Sequence, residues 1–404
     1  MGTKAWTRGD GPLAPFAEGF RQWLVGRGYL PGAVKHHVLL MGQLNRWLTG
    51  QRLGVGDLTA ARAVEFLGLL RGDGRKRTPT MASLAVLMEH LAALNVVPPD
   101  EPKKPSALDD LLVRYRRHLV EDRGLTASTV SRYEGFAGRF LAERGPRVGG
   151  GIGIEGLTAA EVNIFLLAAT SRLVMGSAKR EAADLRSFLR FLYVAGLLDV
   201  DLGRAMPPVA AWRGTDLLGT GLSASDVAAL VDGCDLGTMS GRRDCAILTL
   251  LARLGLRSAE VARLRLGDVD WRAGEVLVRG KARRQDRLPL PVDVGEALVG
   301  YLRDGRPPTS YPNVILTVHA PLRPIHPCSI TNVVYRACKR AGLPRVGGHQ
   351  LRHALATEML RRGSSLIEIG QVLRQSDVAT TSGYAKVDRA ALRAVAQAWP
   401  GASR

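Results

Sequence analysis

The sequence predicts a mainly α-helical protein with one small antiparallel β-sheet, arranged as two helical bundles followed by an α+β domain. Three observations carry that expectation. Apolar residues recur at helical spacing through the first half of the chain, as in Phe16, Phe20, Trp23 and Leu24, then Val34, Val38, Met41, Leu44 and Leu48. Proline-rich breaks at 96–105 and 205–216 divide the chain into segments 1–98, 105–205 and 216–404. Only the third segment contains a strand-like alternation, GEVLVRG, followed after a polar stretch by RLPLP.

The first two segments look like diverged copies of one unit. Trp23-Leu24-Val25 before Arg27-Gly28 resembles Leu119-Val120 before Arg123-Gly124. Leu58-Thr59-Ala60-Ala61 with Phe66 returns as Leu157-Thr158-Ala159-Ala160 with Phe165. Thr59 and Thr158 stand as helix N-caps, and Glu161 occupies the capping-box position of the second copy. Each copy is expected to form about four helices. In the third segment, helices are expected over 223–233, 242–254, from Ser258 and Glu260 onward, 327–341, 348–362, 364–374 and 388–398. The hairpin is expected as strand GEVLVRG, polar turn KARRQD and strand RLPLP.

Charge narrows the function classes. Lys+Arg number 56 against 37 Asp+Glu, a net charge of +19 with a pI near 10.5. Such a surplus favours a polyanionic partner, nucleic acid first among them. Cys234, Cys245, Cys328 and Cys338 form no CxxC pair, so neither a disulfide frame nor a zinc site is expected. The N-terminal stretch lacks a signal-peptide core and no window approaches the ~20 apolar residues of a membrane span. A cytoplasmic, nucleoid-associated protein without membrane contact is expected.

Five residues then define a chemistry. Arg257, in LGLRSAE, opens a helix, where a guanidinium and backbone N–H groups together favour an anion. His349 and Arg352, in GGHQLRHALA, are spaced i, i+3 and share one helical face. A second arginine there completes a clamp for charge building on a pentavalent phosphorus. Lys281 lies at the hairpin tip, among Arg279, Arg283, Arg284 and Arg287, which are expected to bind DNA phosphates. Only nine of the basic residues are lysine, which makes Lys281 conspicuous as a general acid for a departing 5′ oxygen. Tyr384, in TTSGYAKVD, has a phenol that titrates near ~10 and becomes nucleophilic only beside cations.

These motifs, in this order, resemble the tyrosine recombinase (phage integrase) family, in its transposon and Xer-like branch. The resemblance runs through LGLRSAEVARLRLGDVD, the GK hairpin, HQLRHALATEML and LRQSDVATTSGYAKV, across 216–399. It implies that Arg257, Lys281, His349, Arg352 and Tyr384 take the family's catalytic positions. It implies a core-binding helical domain at 105–205, while 1–98 is an extra copy for DNA binding or interaction. It further implies strand cleavage through a 3′-phosphotyrosine on double-stranded DNA bearing a specific site, with no metal or nucleotide cofactor. Active assemblies are expected as tetramers on DNA or with sister recombinases. The terminal helix, with Leu392, Val395 and Trp399, is expected to dock on a neighbouring subunit. One position departs: the family usually has His or Trp where Gln375 stands, and an amide donates a hydrogen bond but exchanges no proton. Two alternatives stay open: a type IB topoisomerase-like enzyme, which shares the arginine–lysine–histidine–tyrosine set, and, on the strength of Gln375, a noncatalytic or impaired accessory protein of a recombinase system.

Overall fold

The computed structural model describes residues 11–72, 79–98, 106–144, 152–171, 173, 175–207, 221–280 and 284–375. Backbone proximity divides the chain into two compact units, Met1–Asp100 with Thr215–Arg404, and Glu101–Gly214.

The first bundle consists of α1 (Ala17–Gly26), α2 (Pro31–Gly50), α3 (Ala60–Gly72) and α4 (Met81–Ala93). Its core is built from the periodic apolar positions, Phe20, Leu24, Leu44, Leu48, Leu58 and Leu84 being fully buried. The 101–214 unit holds α5 (Ala107–Arg117), α6 (Ala127–Arg144), α7 (Ala159–Thr170) and α8 (Met175–Val194). Its core centres on Tyr115, Leu119, Phe136, Phe140, Leu185, Phe188 and Leu192. Each copy thus carries four helices, as the spacing predicts.

Internal details support the duplication. Thr59 Oγ accepts from the Arg62 amide at 3.3 Å, and Thr158 Oγ accepts from the Glu161 amide at 3.3 Å. Gly28 and Gly124 both adopt positive φ, +77° and +59°, where glycine is least strained. The helix before Gly124 contains one residue more than its counterpart before Gly28, counting from the buried pair Leu119 and Leu24. That residue is absorbed in a π turn over His118–Asp122, where the Arg123 amide reaches back to the His118 carbonyl at 3.2 Å. Sequence matching alone pairs Leu24 with Val120; the structure pairs it with Leu119, since Val120 is exposed.

In the third segment, α9 (Ala224–Asp232) leads to α10 (Met239–Arg253), the centre of the core. Ile247, Leu248, Leu250 and Leu251 are fully buried, and the helix packs against α9, α12 (Val292–Asp304), α13 (Pro327–Arg340) and α14 (Gly348–Arg361). Between α11 (Ser258–Arg263) and α12 lies a sheet of β1 (Val269–Asp270), β2 (Glu275–Arg279) and β3 (Gln285–Pro289), antiparallel in that order. The described helices end with α15 (Leu366–Val372).

Three differences from the sequence expectation have physical causes. The second hairpin strand begins at Gln285, which pairs with Arg279, and ends at Pro289, so QD is strand and not turn. Its polarity misled because every second residue of β3 is exposed. Strand β1 is too short to show a period. Helix α12, whose buried face is Val294, Leu298 and Tyr301, was not anticipated although Pro291 at its N-cap is a start signal. No helix among the described residues is long and apolar enough to cross a membrane.

Candidate active site

The site begins at the turn between α10 and α11. Gly255 has φ +56°, and a Cβ there would come within 2.7 Å of Leu373 Cδ2 and 3.1 Å of Leu355 Cδ2. Only glycine allows that close approach. The Gly255 carbonyl accepts from Arg352 Nη1 at 2.6 Å, and Arg352 Nη2 donates to the Leu373 carbonyl. Arg352 is 1% exposed. Its guanidinium therefore ties the α10–α11 turn to the end of α15. Arg352 is thus enclosed, with both Nη groups engaged by backbone carbonyls.

Arg257 is the N-cap of α11, with extended backbone and a side chain 42% exposed. Glu260, one helical turn on, receives both its backbone N–H (2.9 Å, to Oε2) and its Nη1 (2.8 Å, to Oε1). Oε2 also accepts from Arg374 Nη2 at 2.9 Å. One buried carboxylate thus holds two arginines. Burial works to raise the Glu260 carboxyl, yet the Arg257 amide and the Arg374 charge overcome it and keep it below the usual range. Sequence reading placed Glu260 only as a helix opener and did not single out Arg374. The reciprocal S-A-E spacing after Arg257 was the one available signal for Glu260; nothing local marks Arg374 as buried.

Helix α14 delivers His349. Its buried Gly348 lies so close to α11 that an added Cβ would meet Ser258 Oγ at 3.1 Å. His349 is partly buried, and burial, followed by the charges of Arg352 and Arg257, holds its imidazole below the ordinary value. The shift favours the neutral imidazole, the form able to accept a proton. His353, a residue the sequence reading passed over, stacks edge-on against His349 with ring centroids 4.3 Å apart. Burial, His349 and Arg352 push its value down to about 4. Because the folded value lies below 6.5, the unfolded chain takes up this proton first. Stability is therefore expected to fall as pH drops from 6.5 toward 4, and His353→Gln should flatten that limb in urea titrations.

Gln375 follows Arg374 just beyond α15, its backbone N–H donating to the Gly370 carbonyl at 2.9 Å. Three hairpin arginines meet carboxylates: Arg279 reaches Asp268, Arg284 reaches Asp286 at 3.0 Å, and Arg287 reaches Glu275 at 3.1 Å. All three side chains keep 40% or more exposure, so a phosphate can compete for them. Lys281, Arg283, Tyr384 and the terminal helix over 388–398 lie outside the described residues. Arg257, His349 and Arg352 are brought to one junction between α11, α14 and α15.

Helical bundles before an α+β domain with this junction define the architecture of a DNA strand-exchange enzyme, and comparison agrees. Residues 221–390 match the phage integrase family. The chain is 39% identical, over 97% of its length, to the Sinorhizobium fredii protein y4rA, which bears an integrase/recombinase name and of which 96% is covered. It is 32% identical to tyrosine recombinase XerD of Mycobacterium tuberculosis, over 71% of this chain and 95% of that one. In fold it is similar to the XerH site-specific recombinase bound to a palindromic difH substrate (TM-score 0.54, 15% identity, 72% of this chain and 97% of that chain). A lambda integrase dimer bound to a COC′ core site gives a TM-score of 0.52 at 17% identity, over 73% and 98%. The chain belongs to the phage integrase family, and its activity is that of a tyrosine recombinase, the breakage and rejoining of DNA strands. Neither the topoisomerase-like nor the accessory alternative is favoured by these relatives.

Proposed function

We propose that the Tyr384 oxygen attacks a phosphorus of duplex DNA, forming a Tyr–O–P bond as the P–O5′ bond breaks. Arg257 binds a non-bridging oxygen, neutral His349 accepts the phenolic proton, and Lys281 protonates the departing 5′ oxygen. The free 5′-hydroxyl of another strand then reverses the step, so bond energy is conserved through exchange. Arg352 locks the junction through two backbone carbonyls and is the second guanidinium proposed for the phosphate, since its five N–H donors exceed those two bonds. Gln375 offers its side-chain amide as a further phosphate donor. The observation that carries this reading is the α11–α14 junction, where Gly348 packs so closely on Ser258 that His349 and the exposed Arg257 side chain spring from adjoining backbone.

The test is a duplex nicked beside the cleavage position, so that the short product diffuses away. Wild-type protein should accumulate a covalent adduct that Tyr384→Phe lacks, and joined recombinant product separates exchange from simple relaxation. The natural substrate is proposed to be double-stranded DNA with a defined site, bound by a tetramer. A lambda integrase tetramer bound to a Holliday junction shares the fold (TM-score 0.52).

We also assign DNA contact to 105–205, and DNA binding or protein interaction to 1–98. Within the 101–214 unit, a cleft of about 530 Å³ is lined by Arg123, Arg186 and Arg190 together with Ser187 and Tyr133. Arg186, Ser187, Arg190 and Val194 follow one face of α8, and Arg123 Nη1 donates to Ser187 Oγ at 2.6 Å across it. Removing Arg186 and Arg190 should flatten the log–log salt dependence of DNA binding by about 0.9 per arginine. An unchanged slope would place the DNA elsewhere.

A further inference from the structure

The turn that closes α15 puts a long charged side chain where the backbone suits none. Arg374 has φ +55°, in the left-handed region that glycine enters freely and other residues enter at a cost. Its side chain is 3% exposed, so the position gains nothing from water. Its Nε is buried without a hydrogen-bond partner. Nη1 donates to the Val372 carbonyl at 3.2 Å and at 3.5 Å to the Leu254 carbonyl, and Nη2 donates to Glu260 at 2.9 Å. A backbone strain, a desolvated cation and an unpartnered donor are thus concentrated on one residue. Of the contacts that offset them, the charge-assisted bond to Glu260 is the shortest and the strongest in kind.

We propose that Arg374 is a positioning residue for strand cleavage, anchoring the Glu260 carboxylate and through it the Arg257 guanidinium. The inference rests on the reading of Arg257 as a phosphate ligand. Two consequences of the geometry support it. Oε2 of Glu260 is held from two sides, by the Arg257 amide and by Arg374, so the carboxylate cannot turn without losing both. Oε1 is then fixed in direction, and with it the Nη1 of Arg257. The second consequence is charge. Two arginines sharing one carboxylate leave a surplus positive charge at the junction, whereas Arg257 and Glu260 alone would cancel and attract a phosphate weakly. The groups facing this pair are few. Glu260 meets Arg257 from its own helix and Arg374 from the end of α15. Arg374 also feels Arg257 and Asp286 of β3.

The experiment is single-turnover cleavage of the nicked duplex at saturating protein, from pH 5 to 9, with DNA affinity measured beside it. Arg374→Met should cleave roughly 100-fold more slowly than wild type, with affinity within about threefold because one contact among many is disturbed. Its acid limb should move to higher pH, since Glu260 loses the cation that favours its charged form. Arg374→Lys should recover about tenfold of the loss. Combined with Glu260→Gln, Arg374→Met should add little further, because both act through one contact. Where Arg374→Met does not fold, Arg374→Gly, which suits the left-handed backbone, carries the same comparison. A rate within about twofold of wild type with an unmoved acid limb, or fully additive losses in the double variant, overturns the proposal. If wild-type protein forms no Tyr384-dependent adduct, the recombinase reading falls and this inference with it. Normal wild-type trapping with an unaltered Arg374 variant sinks this inference alone.

Discussion

Arg257→Lys is expected to slow covalent adduct formation by roughly 10²–10³-fold, with little change in DNA affinity. A lysine keeps the charge but not the planar fork. In the native arrangement one Nη and the backbone amide are given to Glu260, which orients the rest of the guanidinium toward solvent-accessible space. An ammonium on a flexible stem forms a point contact and cannot serve Glu260 and a phosphate in fixed directions at once. Affinity should hold because a basic chain of this charge contacts many phosphates. Single-turnover rates on the nicked duplex read the effect. A loss smaller than tenfold would mean that the reacting phosphate is held by another group.

Glu260→Ala is expected to destabilise the domain by about 3–5 kcal/mol. The substitution strands the enclosed Arg374 guanidinium without its carboxylate and removes the acceptor for the Arg257 amide at the start of α11. Leaving a buried charge unpaired is among the costliest single changes, a large part of the ~5–15 kcal/mol that stabilises a domain. The loss should appear as a lower urea midpoint. It has a pH signature too: the folded carboxyl titrates below its unfolded value, so its contribution is present above about pH 4.5 and is lost as pH falls through the folded value. A change under about 1 kcal/mol, the size of an exposed ion pair, would show that the three-membered contact is not formed in solution.

Much of the architecture was legible because it is written locally. Helical spacing, the proline breaks and the paired LTAA elements each span a few residues, and so do the motifs around Arg257, His349 and Arg352. The hidden features are those made by distant residues. Glu260 and Arg374 are 114 residues apart, and neither neighbourhood shows that the arginine is enclosed. An arginine after VL and before QSD reads as surface; only the packing of α15 on the Gly255 turn makes it interior. The burial of Arg352 escaped for the same reason, since its partners are backbone carbonyls, which no residue type announces. The π turn at His118–Asp122 was invisible because a one-residue insertion barely alters helical periodicity. His353 was overlooked beside His349, although four-residue spacing on one helix stacks them.

The most direct measurement of the central claim is to digest the trapped protein–DNA adduct and locate the modified side chain by mass spectrometry. A single phosphodiester on the oxygen of Tyr384, joined to the 3′ end of the cleaved strand, is the result predicted here. Attachment at any other residue, or through a 5′ phosphate, would contradict it.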